Sequence, residues 1–405
     1  MIALSEIEKA RKSLEGVVVN TPFTYAPLLS ERVGAKIYLK KENLQLTGAF
    51  KLRGAYNKVA SLSDTERAKG IIAASAGNHA QGVAYSAKMF GIPSTIIMPE
   101  ATPLLKVQNT KALGATVILH GENYDEAYAY AITYAKKHSL TFIHPFTDEK
   151  VIAGQGTVAL EILEACDDLD YIVVSIGGGG LIAGVASAVK QINPKIKVIG
   201  VVAAGAPAMF NSFKAKTAID STSVRTIADG IAVRDVSSDN LDLILECVDD
   251  IVEVDDEEIA SAILFLLERQ KLVVEGGGAA GVAAIMHKKF DFLPDAKIAT
   301  VLSGGNIDVQ MLSLIIEKGL IKAKRKMKFI ITLTDKPGSL MQLTDLLKEI
   351  NANIIQIDYD RTSTSLSYGD ANVTLALETK GDEHQEMIRE RLTKEGYDYR
   401  EELRD

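Results

Sequence analysis

Four consecutive glycines, Gly177–Gly180, lie between the apolar run Tyr171-Ile172-Val173-Val174-Ser175-Ile176 and the helix-like Leu181-Ile182-Ala183-Gly184-Val185-Ala186. Strand, loop without side chains, and helix in that order turn several backbone N–H groups toward one point. The helix dipole adds partial positive charge at the same place. The expected ligand is therefore an anion, and phosphate suits the geometry. A dinucleotide site needs an acidic residue about 20 positions further on to hold a ribose hydroxyl. No Asp or Glu occurs from Tyr171 to Ile219, and no Gly-Lys-Ser/Thr of a nucleotide P-loop follows the glycines. A merely tight strand-to-helix turn is the simpler alternative, but it needs one glycine rather than four. What remains is a small phosphorylated group without a ribose, gripped through backbone.

Around this loop, from about residue 15 to 320, short β-rich runs alternate with amphipathic segments. The expected strands are Lys36–Lys40, Ile71–Ala74, Ser94–Met98, Thr116–His120, Tyr171–Ile176, Lys197–Val202 and Ile298–Leu302, with helical patterns between them such as Asn123–His138 and Glu257–Lys271. Such alternation implies a parallel, doubly wound α/β architecture, whose ligands collect beyond the carboxyl ends of the strands. Three glycine-bearing turns stand at such ends: Ser75-Ala76-Gly77-Asn78, Gly177–Gly180 and Ser303-Gly304-Gly305-Asn306.

At 405 residues the chain has room for two or three domains. A net charge of −8, with no Lys/Arg stripe interleaved with aromatics, argues against a nucleic-acid partner. Cys166 and Cys247 lack the spacing of a disulfide scaffold or zinc site. The start Met1-Ile2-Ala3-Leu4-Ser5-Glu6 has no apolar leader core, and the uncharged stretch Tyr171–Val189 is broken by its glycines. The expectation is a cytoplasmic protein that does not enter a membrane.

Composition shifts after Gly319. The basic run Lys322-Ala323-Lys324-Arg325-Lys326-Met327-Lys328 reads as a linker, about 321–327, into a separate module over 328–405. Strand (Phe329–Thr334), turn (Asp335-Lys336-Pro337-Gly338), helix (Ser339–Ile350), strands (Asn353–Asp360, Ala371–Glu378) and helix (Glu383–Lys394) follow. That β-α-β-β-α pattern suggests a small α+β, ferredoxin-like domain.

A phosphate anchor without a nucleotide directs attention to a lysine able to form a Schiff base with pyridoxal 5'-phosphate. Lys51, in Thr47-Gly48-Ala49-Phe50-Lys51-Leu52-Arg53-Gly54-Ala55, lies among small and apolar residues. Burial there would lower its pKa and free the amine to attack an aldehyde. Taken alone, the segment reads as that of a solvated surface lysine, since most lysines are. The set Thr47–Ala55, Ser75-Ala76-Gly77-Asn78-His79-Ala80-Gln81-Gly82, Gly177–Gly180, Thr226-Ile227-Ala228-Asp229-Gly230 and Ser303–Asn306 resembles, in order, the serine/threonine dehydratases. These are pyridoxal-phosphate enzymes of the tryptophan-synthase-β fold group. The C-terminal module resembles an ACT domain.

The resemblance implies two three-layer subdomains with parallel or mixed sheets over residues 1–320, the smaller inserted at about 54–153. It implies that Lys51 holds the cofactor and removes the Cα proton, that Phe50 packs near the cofactor, and that Asn78 bonds its ring hydroxyl. Gly177, Gly178, Gly179, Gly180 and Leu181 give N–H groups to the phosphate, and Ser303 bonds the pyridine nitrogen. The loop Ser75, Ala76, Gly77, Asn78 and His79 opens a helix and would take the substrate carboxylate. As plain local structure, the same loop is an N-cap and Ser303–Asn306 a turn. Glu275 either faces the cofactor edge, as its family counterpart does, or makes a structural salt bridge. The implied reaction is β-elimination and deamination of L-threonine to 2-oxobutanoate and ammonia, with L-serine as a lesser substrate.

Two departures narrow this. Racemases of the family carry a second serine where this chain has Ala76, and bind a divalent ion through carboxylates after the strand at 197–202, where Val202–Ala208 holds no acid. Racemisation is expected to be minor and no metal is expected. The module at 328–405 is expected to bind an effector amino acid, isoleucine or valine, at Asp335–Leu340, or to serve only assembly into a dimer or tetramer.

Overall fold

The computed structural model describes residues 1–364 and 366–401. It divides into two compact units, Met1–Asp308 and Val309–Asp405. In the first unit the strands are β1 (Phe23–Tyr25), β2 (Lys36–Lys40), β3 (Ile71–Ala74), β4 (Ser94–Met98), β5 (Thr116–Leu119), β6 (Thr141–Phe142), β7 (Tyr171–Ser175), β8 (Lys197–Ala203), β9 (Asp250–Val254) and β10 (Lys297–Val301). They form a six-stranded sheet in the order β1-β2-β10-β7-β8-β9 and a four-stranded sheet in the order β5-β4-β3-β6. Every pairing is parallel except β1 with β2. This is the tryptophan-synthase-β-like arrangement of mixed α/β sheets. The smaller sheet is built entirely from chain between β2 and β7.

Each strand expected in this unit forms, with ends moved by at most one residue. Three strands of this unit were not expected: β1, β6 and β9. The first two are only three and two residues long, too short to show alternation. In β9 the residues Asp250 and Glu253 mask a strand whose Ile251, Val252 and Val254 are buried. The helical pattern at 257–271 resolves into an α-helix, Asp256–Phe265, opened by an Asp255/Glu258 capping box and extended by a π-helical turn, Leu266–Gln270.

Packing fixes the elements that carry the site. The helix Glu149–Ala165 lies between the helices Lys51–Ala60 and Gly180–Ile192. Glycines set both approaches: a Cβ on Gly154 would come within 2.6 Å of the Arg53 carbonyl oxygen, and one on Gly156 within 2.9 Å of the Gly184 carbonyl oxygen. Beneath the first contact lies a buried ionic network. Arg53, fully buried, donates to both oxygens of the buried Glu42 carboxylate at 2.8 Å and to Glu161 at 2.6 Å, while Lys40 pairs with Glu161. Burial opposes each charge, yet the Arg53 guanidinium holds the Glu42 carboxyl below the usual carboxylate range.

The second unit contains the helix Val309–Lys322, so the division falls before that helix rather than at the basic run, which here holds the helix end and the start of a strand. Its strands are β11 (Lys326–Thr334), β12 (Asn353–Asp360), β13 (Asp370–Glu378) and β14 (Asp398–Glu401). The sheet order β12-β13-β11-β14, all antiparallel, completes a β-α-β-β-α-β pattern with the helices Ser339–Glu349 and Asp382–Lys394. The strand β14, Asp-Tyr-Arg-Glu, was too charged to be expected. Alternate residues Met327, Phe329, Ile331 and Leu333 of β11 face a core shared with Leu343, Leu347, Ile388 and Leu392. Residues 402–405 of the expected module lie outside the described residues.

Candidate active site

The site is assembled at the carboxyl ends of strands, as open parallel sheets require. The glycines follow β7, the Ser75–Asn78 turn follows β3, and Ser303–Asn306 follows β10. Lys51 is the first residue of its helix, with Phe50 as N-cap. The Phe50 N–H donates to the Ser303 carbonyl at 3.0 Å, and Ala49 bridges to Gly304. These bonds tie the lysine segment to the Ser303 loop.

The Lys51 amine is half-buried and donates to the Pro145 carbonyl oxygen at 2.9 Å. Burial pulls its pKa from 10.5 down to about 8, with Glu275 opposing. Roughly a tenth of the amine is therefore uncharged at pH 7, against less than about a thousandth for an ordinary lysine. Next in the chain, Phe146 stands against the polyglycine loop. An added Cβ at Gly178 would land in its ring, and one at Gly180 would lie 2.8 Å from its carbonyl oxygen. One turn, Pro145-Phe146, thus touches the lysine on one side and the glycines on the other.

The loop itself is shaped as a cradle. Gly179 has φ +89, a left-handed conformation costly for residues with a Cβ, and forms the N-cap of Gly180–Ile192 without any side-chain cap. The first N–H groups of that helix have no intrahelical acceptor. Asn240 fixes the turn from behind, donating to the carbonyls of Gly178 at 2.5 Å and Phe146 at 3.0 Å.

Asn78 opens the helix Asn78–Phe90, whose N-cap Gly77 also lacks a side-chain cap. The Asn78 amide donates to Glu275 Oε1 at 2.7 Å. Burial, then Asp229, raises the Glu275 pKa to about 7 against the bonds from Asn78 and Asn306. Ser303 is buried, and the Ser175 hydroxyl donates to its oxygen at 3.4 Å, leaving the Ser303 proton to be given elsewhere. The His79 ring turns away: Nε2 meets the Ile143 carbonyl at 2.8 Å, and burial lowers the pKa to about 3.

A family model described as "Pyridoxal-phosphate dependent enzyme" matches residues 14–304. The chain belongs to that family. It is similar to the L-threonine ammonia-lyase of Thermotoga maritima, at 48% identity over 99% of both chains. Its fold is similar to the processed form of threonine deaminase isoform 2 from Solanum lycopersicum, with TM-score 0.74 and 37% identity over 77% of this chain and 88% of that one. It is also similar to maize serine racemase, with TM-score 0.74 and 35% identity over 80% of this chain and 99% of that one.

Pyridoxal phosphate, the cofactor of this family, fits the residues present. The glycine loop has no side chains to obstruct a phosphate and offers uncapped N–H groups; a desolvated amine lies one turn away; and Ser303 keeps a proton free. Pro145, Phe146, Ser175 and Asn240 were not foreseen from sequence. Pro145 and Phe146 follow a two-residue strand with no periodicity, and Ser175 and Asn240 are ordinary polar residues until the fold buries them. Among the described residues, no three His, Cys, Asp or Glu side chains are grouped to hold a metal ion. No helix there is long and apolar enough to cross a membrane.

Proposed function

We propose that this protein is an L-threonine ammonia-lyase, with 2-oxobutanoate and ammonia as products and L-serine as a poorer substrate. The observation that carries the reading is the Lys51 amine, desolvated to a pKa of about 8 beside the turn that packs on Gly178 and Gly180. The end-to-end similarity to the Thermotoga enzyme supports the choice of substrate.

When bound, pyridoxal phosphate supplies a carbonyl for the lysine or substrate amine and an electron sink that makes the substrate Cα proton acidic. The chain does the rest. N–H groups of Gly177 through Leu181 hold the phosphate, Phe50 packs nearby, and Asn78 donates to the ring hydroxyl. Ser303, a neutral donor, would bond the ring nitrogen without protonating it. In the loop Ser75, Ala76, Gly77, Asn78 and His79, the N–H groups of Ala76, Asn78 and His79 orient the substrate carboxylate, while the Ser75 N–H is held by the Ile97 carbonyl at 3.0 Å and the Gly77 N–H by Ser75 Oγ at 3.1 Å. Lys51 Nζ, once released, takes the Cα proton.

Maize serine racemase shares the fold, so racemisation is the rival reading. It needs a base on the opposite face of Cα, and Ala76 has no group that ionises. A 2-oxo acid assay with threonine, serine and their D-isomers tests both. The proposed outcome is more 2-oxo acid from L-threonine than from L-serine and little from either D-isomer; equal D and L turnover would overturn it.

For the second unit we propose an ACT-like role, binding isoleucine or valine at Asp335–Leu340. Gly338, at φ +94, caps the helix Ser339–Glu349 without a side-chain bond, leaving N–H groups for a carboxylate. A cytoplasmic homo-oligomer, dimer or tetramer, completes the reading.

A further inference from the structure

We propose that Asn306 is a positioning residue: it sets the direction in which the Asn78 carboxamide faces, so that one Asn78 N–H is left aimed at the ring hydroxyl oxygen of pyridoxal phosphate. The proposal rests on the reading of Asn78 given above and adds the reason that side chain has a single orientation.

A carboxamide has a donor end and an acceptor end of nearly the same shape, so only its neighbours decide which way it lies. The chain of neighbours here starts at a group with no choice. The Thr47 backbone carbonyl can only accept, and it lies 2.9 Å from Asn306 Nδ2. That fixes the Asn306 amino end toward it. The same Nδ2 donates at 2.7 Å to Asn78, whose facing atom must then be Oδ1. The Asn78 amino end is thereby turned to Glu275 Oε1, at 2.7 Å. With the Asn78 amino end facing it, Glu275 Oε1 accepts whether or not the carboxyl carries a proton, which then sits on Oε2, and the carboxyl takes the Asn306 backbone N–H as well. The obligate acceptor at the Thr47 end, with two amides following it, allows one polarity. Flipping either amide puts two oxygens, or two N–H groups, face to face.

Hydrogens are then counted. Both protons on Asn306 Nδ2 are used, one on Thr47 and one on Asn78. Asn78 Nδ2 gives one proton to Glu275 and keeps one. That remaining donor, on a residue at the mouth of the Asn78–Phe90 helix, is the one available to an anionic oxygen. Glycines make the room. Gly48 has φ +72, and a Cβ there would lie 2.5 Å from Asn306 Oδ1. A Cβ on Gly304 would meet the Glu275 carboxylate and come 3.0 Å from Asn78 Nδ2. Asn306 stands in the Ser303–Asn306 turn, whose Ser303 has its own use, so the turn serves the cofactor at two points.

The test uses the full chain, with two readouts besides turnover: affinity of the apoenzyme for pyridoxal phosphate, and the pH midpoint of the bound cofactor's visible absorption change. An N–H donor favours the ionised ring oxygen, so losing it raises that midpoint. Asn78→Ala is expected to raise it and to weaken cofactor affinity by on the order of tenfold, as for one hydrogen bond to a charged group. Asn306→Asp replaces the donor by an acceptor of the same shape. It is expected to move both readouts in the same direction with Asn78 untouched, and the Asn78→Ala/Asn306→Asp pair is expected to show no further shift. Should Asn306→Asp fail to fold, Asn306→Leu, of similar shape with neither donor nor acceptor, is expected to move both readouts in the same direction. The proposal is overturned if the Asn306 variant keeps wild-type affinity and midpoint while Asn78→Ala moves both, or if the two shifts add. If Asn78→Ala itself moves neither, the assignment of Asn78 to the ring hydroxyl falls, and the proposal with it.

Discussion

Two side chains in the site owe their chemistry to burial more than to neighbours. Lys51 and Glu275 are pushed toward neutrality from opposite sides, to pKa values of about 8 and about 7. Loading of the cofactor requires the free amine of Lys51. The rate of pyridoxal phosphate uptake by the apoenzyme should therefore rise tenfold per pH unit below about 8 and level off above it, followed by absorbance. An ordinary lysine would keep the rise going to about 10.5, and that result would contradict the burial argument. The same shift affects folding. Between about 8 and 10.5 the unfolded chain holds this proton and the folded one does not, so Lys51 makes the apoprotein more stable as pH rises through that window. At Gly178 sterics decide instead. Gly178→Ala places a methyl in the Phe146 ring, which should destabilise the apoprotein by about 1–3 kcal/mol in thermal unfolding and weaken cofactor binding. A second change, Phe146→Leu, should recover part of the stability. Lys51 was legible because it sits in a recognisable motif; that its amine meets the Pro145 carbonyl was not, since 94 residues separate them.

Elements are held in register by groups that look like surface residues in the sequence. Arg53 and Lys40 are charged, yet the fold buries both, and together with Glu42 and Glu161 they join β2, the turn after it, the Lys51 helix and the helix Glu149–Ala165. Removing one member leaves its partners charged and buried. Arg53→Met should cost about 3–5 kcal/mol, read from the urea midpoint, because the buried Glu42 loses its guanidinium partner and Glu161 keeps only Lys40. The exposed pair Arg11–Glu164 offers the contrast, since water screens it, and Arg11→Ala should barely move the midpoint. Strands with uninterrupted apolar runs, such as Ile71–Ala74 and Tyr171–Ser175, were legible to within a residue. The strands β6 and β14 were not, because one is too short for a period and the other carries charges on an edge.

At the scale of the molecule the two units differ in what they let the sequence show. Residues 14–304 match a family model, and the first unit follows its sheets. The second unit has the complete β-α-β-β-α-β pattern, and its regulatory reading is tested in solution. A threonine titration with isoleucine or valine present should show altered turnover, and Gly338→Ala should abolish that response while leaving basal turnover intact. At φ +94 that position resists any residue with a Cβ. Equal turnover with and without either amino acid would leave the unit with an assembly role alone.

Sequence by itself determined the local pieces: a glycine loop between strand and helix, a lysine in an apolar segment, two further glycine turns after strands, and an alternation that demands parallel sheets. Each is set by short-range sterics and period, which neighbouring residues carry. Tertiary structure decided which pieces meet. The Pro145-Phe146 turn between lysine and glycines, the Ser175 hydroxyl behind Ser303 and the directional chain from Thr47 through Asn306 and Asn78 to Glu275 all join residues distant in sequence. Their donors and acceptors acquire definite partners only when burial removes water as the alternative.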